Sequence, residues 1–218
     1  MRRIIIATLS AALLMATAWA VRGAAAGPTH PAAPSRAEAY EHPADHMAAM
    51  SSTTSGGDLL TNQLAAARLA TARYATNLHA ARAAGYQIIT RMMPDMGWHF
   101  LNPSIQGFDV RKPHILVYER HGRAWQLGAL EWVFPSKPAT PPLPGATYGS
   151  FGAACHYKDG TFTFTPSQDQ CAKRSPQSGA RFNFWHPDLV TLHVWIWYPN
   201  PAGLYNSTNP WISPFNHS

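Results

Sequence analysis

The chain has 218 residues, of which 46% are hydrophobic and 13% charged, with 17 basic against 11 acidic side chains. Three basic residues, Arg2, Arg3 and Arg22, lie near the N-terminus, so 14 remain elsewhere and the formal charge falls from +6 to +3 without them. The remainder contains no Lys/Arg block, which argues against a nucleic-acid partner. The sequence also lacks a G-x-S-x-G nucleophile elbow and a glycine-rich phosphate-binding loop.

Residues 1–26 have the pattern of a secretory signal peptide. Arg2 and Arg3 precede an apolar run, residues 4–20, that is too short and too rich in small residues to favour a stable membrane span. A-x-A patterns end at Ala20 and Ala26, and we expect cleavage after one of them. The protein is therefore predicted to be periplasmic or secreted, with no stable membrane span after cleavage. A retained N-terminal anchor is the alternative.

Residues 27–57 are predicted to form a disordered linker, because they include almost no large aliphatic side chains. The segment holds a loose cluster of the histidine and methionine ligands that suit copper. The members of this cluster are His30, His42, His46, Met47 and Met50. Either the linker contains these residues without a role for them, or it is a weak copper-capturing arm.

Residues 58–218 are predicted to form a single globular domain that begins with one long helix. Asp58 is a suitable N-cap, apolar positions then advance by four and three residues to about Ala84, and Gly85 stops the pattern. Residues 91–103 fit neither a helix nor a long strand, because two prolines and a glycine interrupt several large apolar side chains. We expect an irregular loop here that lines a pocket.

The rest of the domain predicts antiparallel β-structure. Residues 114–119 and 125–135 flank a turn and form a hairpin, in which Glu131 points the same way as aliphatic neighbours. In residues 191–197, His193 alternates with apolar positions and shares one face of a strand with two tryptophans. Other short strands are expected at residues 148–157, 161–165 and 181–185. The predicted fold is α+β, with one long N-terminal helix packed on a curved antiparallel sheet or small open barrel.

Cys155 and Cys171 are the only cysteines in the chain. In an oxidising compartment such a pair most simply forms a disulfide bond, which closes a loop of roughly 15 residues and stabilises by about 3 kcal/mol. A redox or metal-binding role for the two thiols is the alternative.

Three residues are candidate ligands for a metal ion: His99, Glu131 and His193. Two imidazoles and a carboxylate are a common ligand set for zinc, iron or copper, and ligands on separate strands can converge on one pocket. His156 and His186 are secondary candidates. No short spacing links any two of the three, so structural roles remain open. Those roles are core histidines with hydrogen-bond partners, and a Glu131 paired with Arg111 or Arg123.

The predicted pocket is bounded by residues 92–103 and 200–210. Its proposed lining combines large apolar side chains with one amide, a composition typical of small-molecule sites. The lining residues are expected to be Met96, Trp98, Asn102, Trp195 and Trp197.

Three sequence segments together resemble a family of uncharacterised exported bacterial proteins. They are MGWHFLNP at residues 96–103, the hairpin from HILVYE to LEWVFP, and LHVWIWYPNPAGLYNSTNP at residues 192–210. The shared motifs are M-G-aromatic-H-aromatic-x-N and L-H-x-W-x-W followed by N-P-x-G-L, and the match covers about residues 65–210. The family has no assigned activity. The resemblance implies that His99, Glu131 and His193 lie in its best-matched positions, and that the segment with the two cysteines is an addition.

Three functions follow as hypotheses. The first is an exported metal-binding protein, with copper or zinc as the metal. The second is a metal-dependent enzyme that uses the same three residues. The third is an aromatic pocket that binds a small apolar molecule or a sugar without a metal.

Overall fold

The computed structural model describes residues 56–216. The predicted signal peptide and nearly all of the predicted linker lie outside the described residues. Within residues 56–216 no helix is both long enough and apolar enough to cross a membrane. The described part has an α+β fold, in which helices pack on a curled antiparallel sheet.

The predicted long helix is interrupted in the structure. Helix α1 spans Gly56–Thr71, a 3-10 turn spans Ala72–Tyr74, and helix α2 spans Leu78–Ala83. The break occurs because the Asn77 side chain accepts a hydrogen bond of 2.9 Å from the Ala80 backbone N–H and so starts a new helix. The predicted stop is correct, since Gly85 follows α2 with a φ of 101°.

Six strands form the main sheet, and every neighbouring pair is antiparallel. Along the sheet, strands 1 to 4 follow their chain order and are succeeded by the ninth and then the fifth strand. The sheet comprises β1 (Gln87–Met93), β2 (Gly97–Leu101), β3 (Ile115–His121), β4 (Ala124–Phe134), β9 (Leu189–Val194) and β5 (Gly149–Phe151).

The expectation of an irregular loop at residues 91–103 is wrong. This segment contains the end of β1 and all of β2, which pair with each other and make a hairpin. Pro94 occupies the connection rather than a strand interior, and Asp95 and Gly97 adopt positive φ angles of 59° and 101°. The prolines and glycines thus mark the ends of strands, and His99 lies on a strand inside the sheet.

A smaller sheet of three strands carries the disulfide bond. Its order is β7 (Phe162–Phe164), β6 (Ala154–Tyr157), β8 (Phe182–His186). The predicted bond between Cys155 and Cys171 is confirmed, with Cα atoms 5.7 Å apart. The single strand expected at residues 148–157 is divided between β5 and β6, which belong to different sheets.

The two faces of the main sheet differ in character. One face packs against the helices through residues such as Phe100, Leu130 and Leu192, which share a core cluster with Leu78 of α2. Residues directly opposite each other in antiparallel strands share a face. His99 is paired with Val117, and Glu131 is paired with Ile115 and His193, so these polar side chains lie on the face away from the helices.

Candidate metal centre

The structure brings His99, Glu131 and His193 together. Glu131 on β4 and His193 on β9 are direct cross-strand partners. His99 reaches them from β2 across the intervening strand β3. Residues far apart in sequence therefore converge because the hairpins place β2, β3, β4 and β9 side by side.

The ligand atoms of the three residues point at one another. Glu131 Oε2 lies 3.7 Å from His99 Nε2 and 3.6 Å from His193 Nε2. One ligand atom from each residue lies within 4.8 Å of those of the other two. These separations are too long for hydrogen bonds. They match atoms that share a ligand-binding centre, since metal bonds of about 2.1 Å would give angles of about 120° at the metal.

The three side chains are buried, and burial sets their protonation. His99, Glu131 and His193 are 4%, 4% and 3% exposed. Burial raises the pKa of Glu131 to about 8 and lowers the pKa of His193 to about 4. Burial, followed by the charge of His193, lowers the pKa of His99 to about 3. At neutral pH the three side chains are therefore uncharged when no cation is bound.

Several buried polar atoms of this site lack hydrogen bonds. Within residues 56–216, neither Glu131 Oε2 nor either ring nitrogen of His193 has a hydrogen-bond partner. The sequence-based alternative, an ion pair of Glu131 with Arg111 or Arg123, is not formed among these described residues, where histidines take that place. An unsatisfied buried polar group costs about 1–3 kcal/mol, so the arrangement is expensive unless something binds there.

Thr90 is a site residue that the sequence reasoning missed. Its hydroxyl lies 2.8 Å from His99 Nδ1, in a pair of residues that face each other across β1 and β2. This contact fixes the orientation of the His99 ring and directs Nε2 towards Glu131. Only a prediction that β1 pairs with β2 would have indicated this contact. The irregular loop expected at residues 91–103 ruled out that pairing.

The three residues line a cavity of about 230 Å³ between the main sheet and the small sheet. Its wall is largely apolar and is shared by both sheets. Its apolar side chains include Ile89, Met93, Met96, Phe151 and Phe184. Of the residues predicted from sequence to line the pocket, Met96 does so.

The other four predicted lining residues contact different parts of the protein. Trp98 packs edge-to-face on Trp125, with ring centroids 5.4 Å apart. The Asn102 amide donates 2.9 Å to the Ala84 backbone carbonyl and thereby holds the end of α2. The indole N–H of Trp195 donates to the Asn206 backbone carbonyl oxygen at 2.7 Å. The indole N–H of Trp197 donates to Thr71 Oγ1 at 3.0 Å.

The secondary candidates His156 and His186 line the same cavity from the small sheet. Their Nε2 atoms lie 3.0 Å apart. His156 is 1% exposed, and burial lowers its pKa to about 4, whereas His186 is half-buried and burial also lowers its pKa. They are not part of the cluster of His99, Glu131 and His193, whose ligand atoms lie within 4.8 Å of one another.

Glu119 is a second buried carboxylate on the sheet. It is 0% exposed, and neither carboxylate oxygen has a hydrogen-bond partner within the described residues. Burial raises its pKa to about 8. Within residues 56–216, Glu119 does not belong to the cluster of potential metal ligands formed by His99, Glu131 and His193.

Two imidazoles and one carboxylate thus converge at the wall of a largely apolar cavity, an arrangement that could hold a metal ion. The chain was also compared with known proteins. A scan against protein-family models, a search of curated proteins and a search of solved structures each returned no match.

Proposed function

We propose that the protein is an exported metal-binding protein whose metal is held by His99 Nε2, His193 Nε2 and a Glu131 carboxylate oxygen. One observation carries this proposal: ligand atoms of three buried residues converge to within 4.8 Å, and those of Glu131 and His193 have no hydrogen-bond partner within residues 56–216. A bound cation would satisfy all three at once. It would also offset the cost of ionising Glu131, which burial otherwise opposes.

Zinc or copper fits this ligand set best. Neutral imidazole suits both metals, and a carboxylate oxygen completes a zinc site of the two-histidine, one-glutamate type. Met93 and Met96 add thioether groups to the cavity wall, and thioether is a ligand that favours copper. Export is supported by the signal-like N-terminus and by the disulfide bond, which persists in oxidising compartments.

A metal-dependent enzyme is the second candidate, and the cavity is the observation that favours it. Three protein ligands leave at least one coordination position open, which is the arrangement of catalytic rather than structural zinc sites. A metal held there would activate water or polarise a substrate oxygen. The chain itself would supply the orientation of His99 through Thr90 and an apolar wall that excludes bulk water.

Metal analysis of untagged protein tests the proposal. We expect tightly bound zinc or copper after equilibration and dialysis, and loss of the one equivalent held at this site in His99→Ala, His193→Ala and Glu131→Gln. The matched control is His79→Ala, because His79 is an exposed histidine on α2 and its removal should leave the metal content unchanged. Wild-type protein that retains neither metal would overturn the proposal.

A shortened chain tests the histidine and methionine cluster near the N-terminus separately. Removal of residues 27–55 deletes that cluster and leaves helix α1 intact. We expect the dialysis-resistant metal content to stay the same, because the proposed ligands lie on β2, β4 and β9. A lower metal content in the shortened chain would assign ligands to the arm instead.

The visible spectrum of cobalt-substituted protein separates an enzyme from a carrier. An enzyme site should keep an exchangeable position, so azide or a small carboxylate added to the protein should change the d–d bands. A site closed by a fourth protein ligand would give a spectrum that does not respond to these anions, and would favour a carrier.

A further inference from the structure

We propose that His156 and His186 form a second metal-binding site in the same cavity, distinct from the site of His99, Glu131 and His193. This inference goes beyond the proposed function, because its ligands come from the small sheet and do not require the first site to be filled. The chemistry that would recognise it is a borderline divalent cation such as zinc or copper(II).

Hydrogen bonds to backbone carbonyls fix the tautomer of both rings. His156 Nδ1 lies 2.8 Å from Ile89 O, and His186 Nδ1 lies 2.6 Å from Pro187 O. A carbonyl oxygen only accepts, so each Nδ1 must carry the proton and donate it. In the neutral rings, both Nε2 atoms are therefore bare and present lone pairs.

The two bare nitrogens nevertheless face each other at 3.0 Å. Two lone pairs at this distance repel each other, so a positive charge has to lie between or beside them. Either an added proton or a metal ion can supply it. An added proton would use only one of the two lone pairs at a time, whereas a metal ion would accept both at once. His156, which is 1% exposed and stacks on Phe184 at 4.8 Å with an interplanar angle of 10°, holds its lone pair in a fixed direction for such an ion.

The separation suits two ligands of one ion. Metal–nitrogen bonds of about 2.05 Å and a nitrogen–nitrogen distance of 3.0 Å give an angle of about 95° at the metal. Such an angle fits adjacent positions of a tetragonal site or a compressed tetrahedron, but not the linear geometry of two-coordinate copper(I). The backbone carbonyls that hold each Nδ1–H play the part that carbonyl partners commonly play behind metal-bound histidines.

The two sites would face one common space. His99, Glu131, His193, His156 and His186 all line the same cavity, yet they come from two different sheets. A small molecule in the cavity could therefore contact both metals.

Zinc titration of untagged, metal-free protein tests this inference, with the bound equivalents counted by competition against a chromophoric chelator. We expect two equivalents in the wild type. His186→Phe keeps an aromatic ring but has no nitrogen, and it should bind one equivalent. Glu131→Gln should also bind one equivalent, at the second site. The Glu131→Gln, His186→Phe double variant should bind none.

The outcomes distinguish the two sites. If the wild type binds one equivalent that His186→Phe retains and Glu131→Gln loses, the second site is overturned and the first stands. If the single equivalent is lost in His186→Phe and kept in Glu131→Gln, the second site stands and the proposed function fails. His186→Ala and the near-ultraviolet circular dichroism of each variant show whether a loss reflects misfolding rather than a missing ligand.

Discussion

At the scale of single residues, Glu131 dominates the chemistry of the cavity. It is a buried carboxyl group whose Oε2 lies 3.6 and 3.7 Å from two imidazole nitrogens. Because burial raises its pKa to about 8, it holds a proton at neutral pH when no cation is present. A metal can bind to the carboxylate only after that proton leaves.

The zinc affinity of the first site should consequently depend on pH. Below about pH 8, binding releases one proton from Glu131, so the dissociation constant should fall about tenfold for each pH unit between 6 and 8 and level off above. His99 and His193, with pKa values of about 3 and 4, are already deprotonated in this range. Competition titrations in the His186→Phe background isolate the first site. A pH-independent constant there would contradict the assignment of Glu131 as a ligand.

Glu119 offers a prediction about stability alone. Its pKa rises to about 8 in the folded state, so the folded protein keeps a proton that the unfolded chain releases above about pH 4.5. Stability from this group is thus present at low pH and is lost as the pH rises towards 8. Glu119→Gln should be equally stable at pH 4 and more stable than the wild type at pH 9, by up to about 5 kcal/mol, because the folded-state pKa lies about 3.5 units above that of the unfolded chain.

Urea denaturation at the two pH values measures this difference. Asp169→Asn is the matched control, because Asp169 is exposed and its neutralisation should change the free energy of unfolding by less than about 0.5 kcal/mol at either pH. A Glu119→Gln variant that is less stable than the wild type at pH 9 would show that the carboxylate has a favourable partner in the folded state.

At the scale of elements, the hairpin of β1 and β2 positions His99, and Gly97 makes this hairpin possible. Gly97 has a φ of 101°, and a Cβ atom there would lie 2.6 Å from Glu119 Oε1 and 2.7 Å from the Tyr118 carbonyl oxygen. We expect Gly97→Ala to cost about 3 kcal/mol, because it combines backbone strain with a clash against a buried strand.

Gly122→Ala is the control for that substitution. Gly122 also has a positive φ, 61°, but a Cβ atom added there would meet no other atom within 4 Å, so only the backbone strain of about 1 kcal/mol applies. Chemical denaturation compares the two variants. Equal losses of stability would mean that the close approach of β2 to β3 is not what requires glycine at position 97.

The strands show which parts of the site could be predicted from sequence. Glu131 and His193 stood out because polar groups interrupted apolar alternation, and cross-strand pairing then joined them. The alternation failed beyond Val194, where β9 ends. There the backbone N–H groups of Trp197 and Tyr198 both donate to Gly128 O, so the period of two no longer decides where the side chains point.

Other features depended on contacts between distant segments and could not be predicted from local pattern. The break between α1 and α2 depends on Asn77, which is not one of the apolar positions from which the helix was predicted. Similarly, the approach of His156 to His186 depends on the pairing of β6 with β8, which are separated in sequence by β7 and a polar loop. The single expected strand at residues 148–157 concealed the start of that second sheet.

At the scale of the whole molecule, metal binding should stabilise a fold that leaves polar atoms unsatisfied between its two sheets. A cation at 100 times its dissociation constant adds about 2.7 kcal/mol to the free energy of unfolding, which corresponds to a rise in Tm of roughly 5–10 °C for a domain of this size. Calorimetry of zinc-loaded and chelator-treated protein measures the difference. A rise that persists in the Glu131→Gln, His186→Phe double variant would place the metal elsewhere.

The connection between β8 and β9 has an evolutionary consequence. β8 ends at His186, β9 carries His193, and only Pro187 and Asp188 separate the two strands, although they belong to different sheets. Surface connections usually accept gained or lost residues among homologues. Here only two residues join strands of different sheets, so a gained or lost residue would either shift His186 relative to His193 or force one strand out of its register, which would turn its side chains to the other face. Selection should therefore preserve the length of this short connection as strictly as the identity of the histidines.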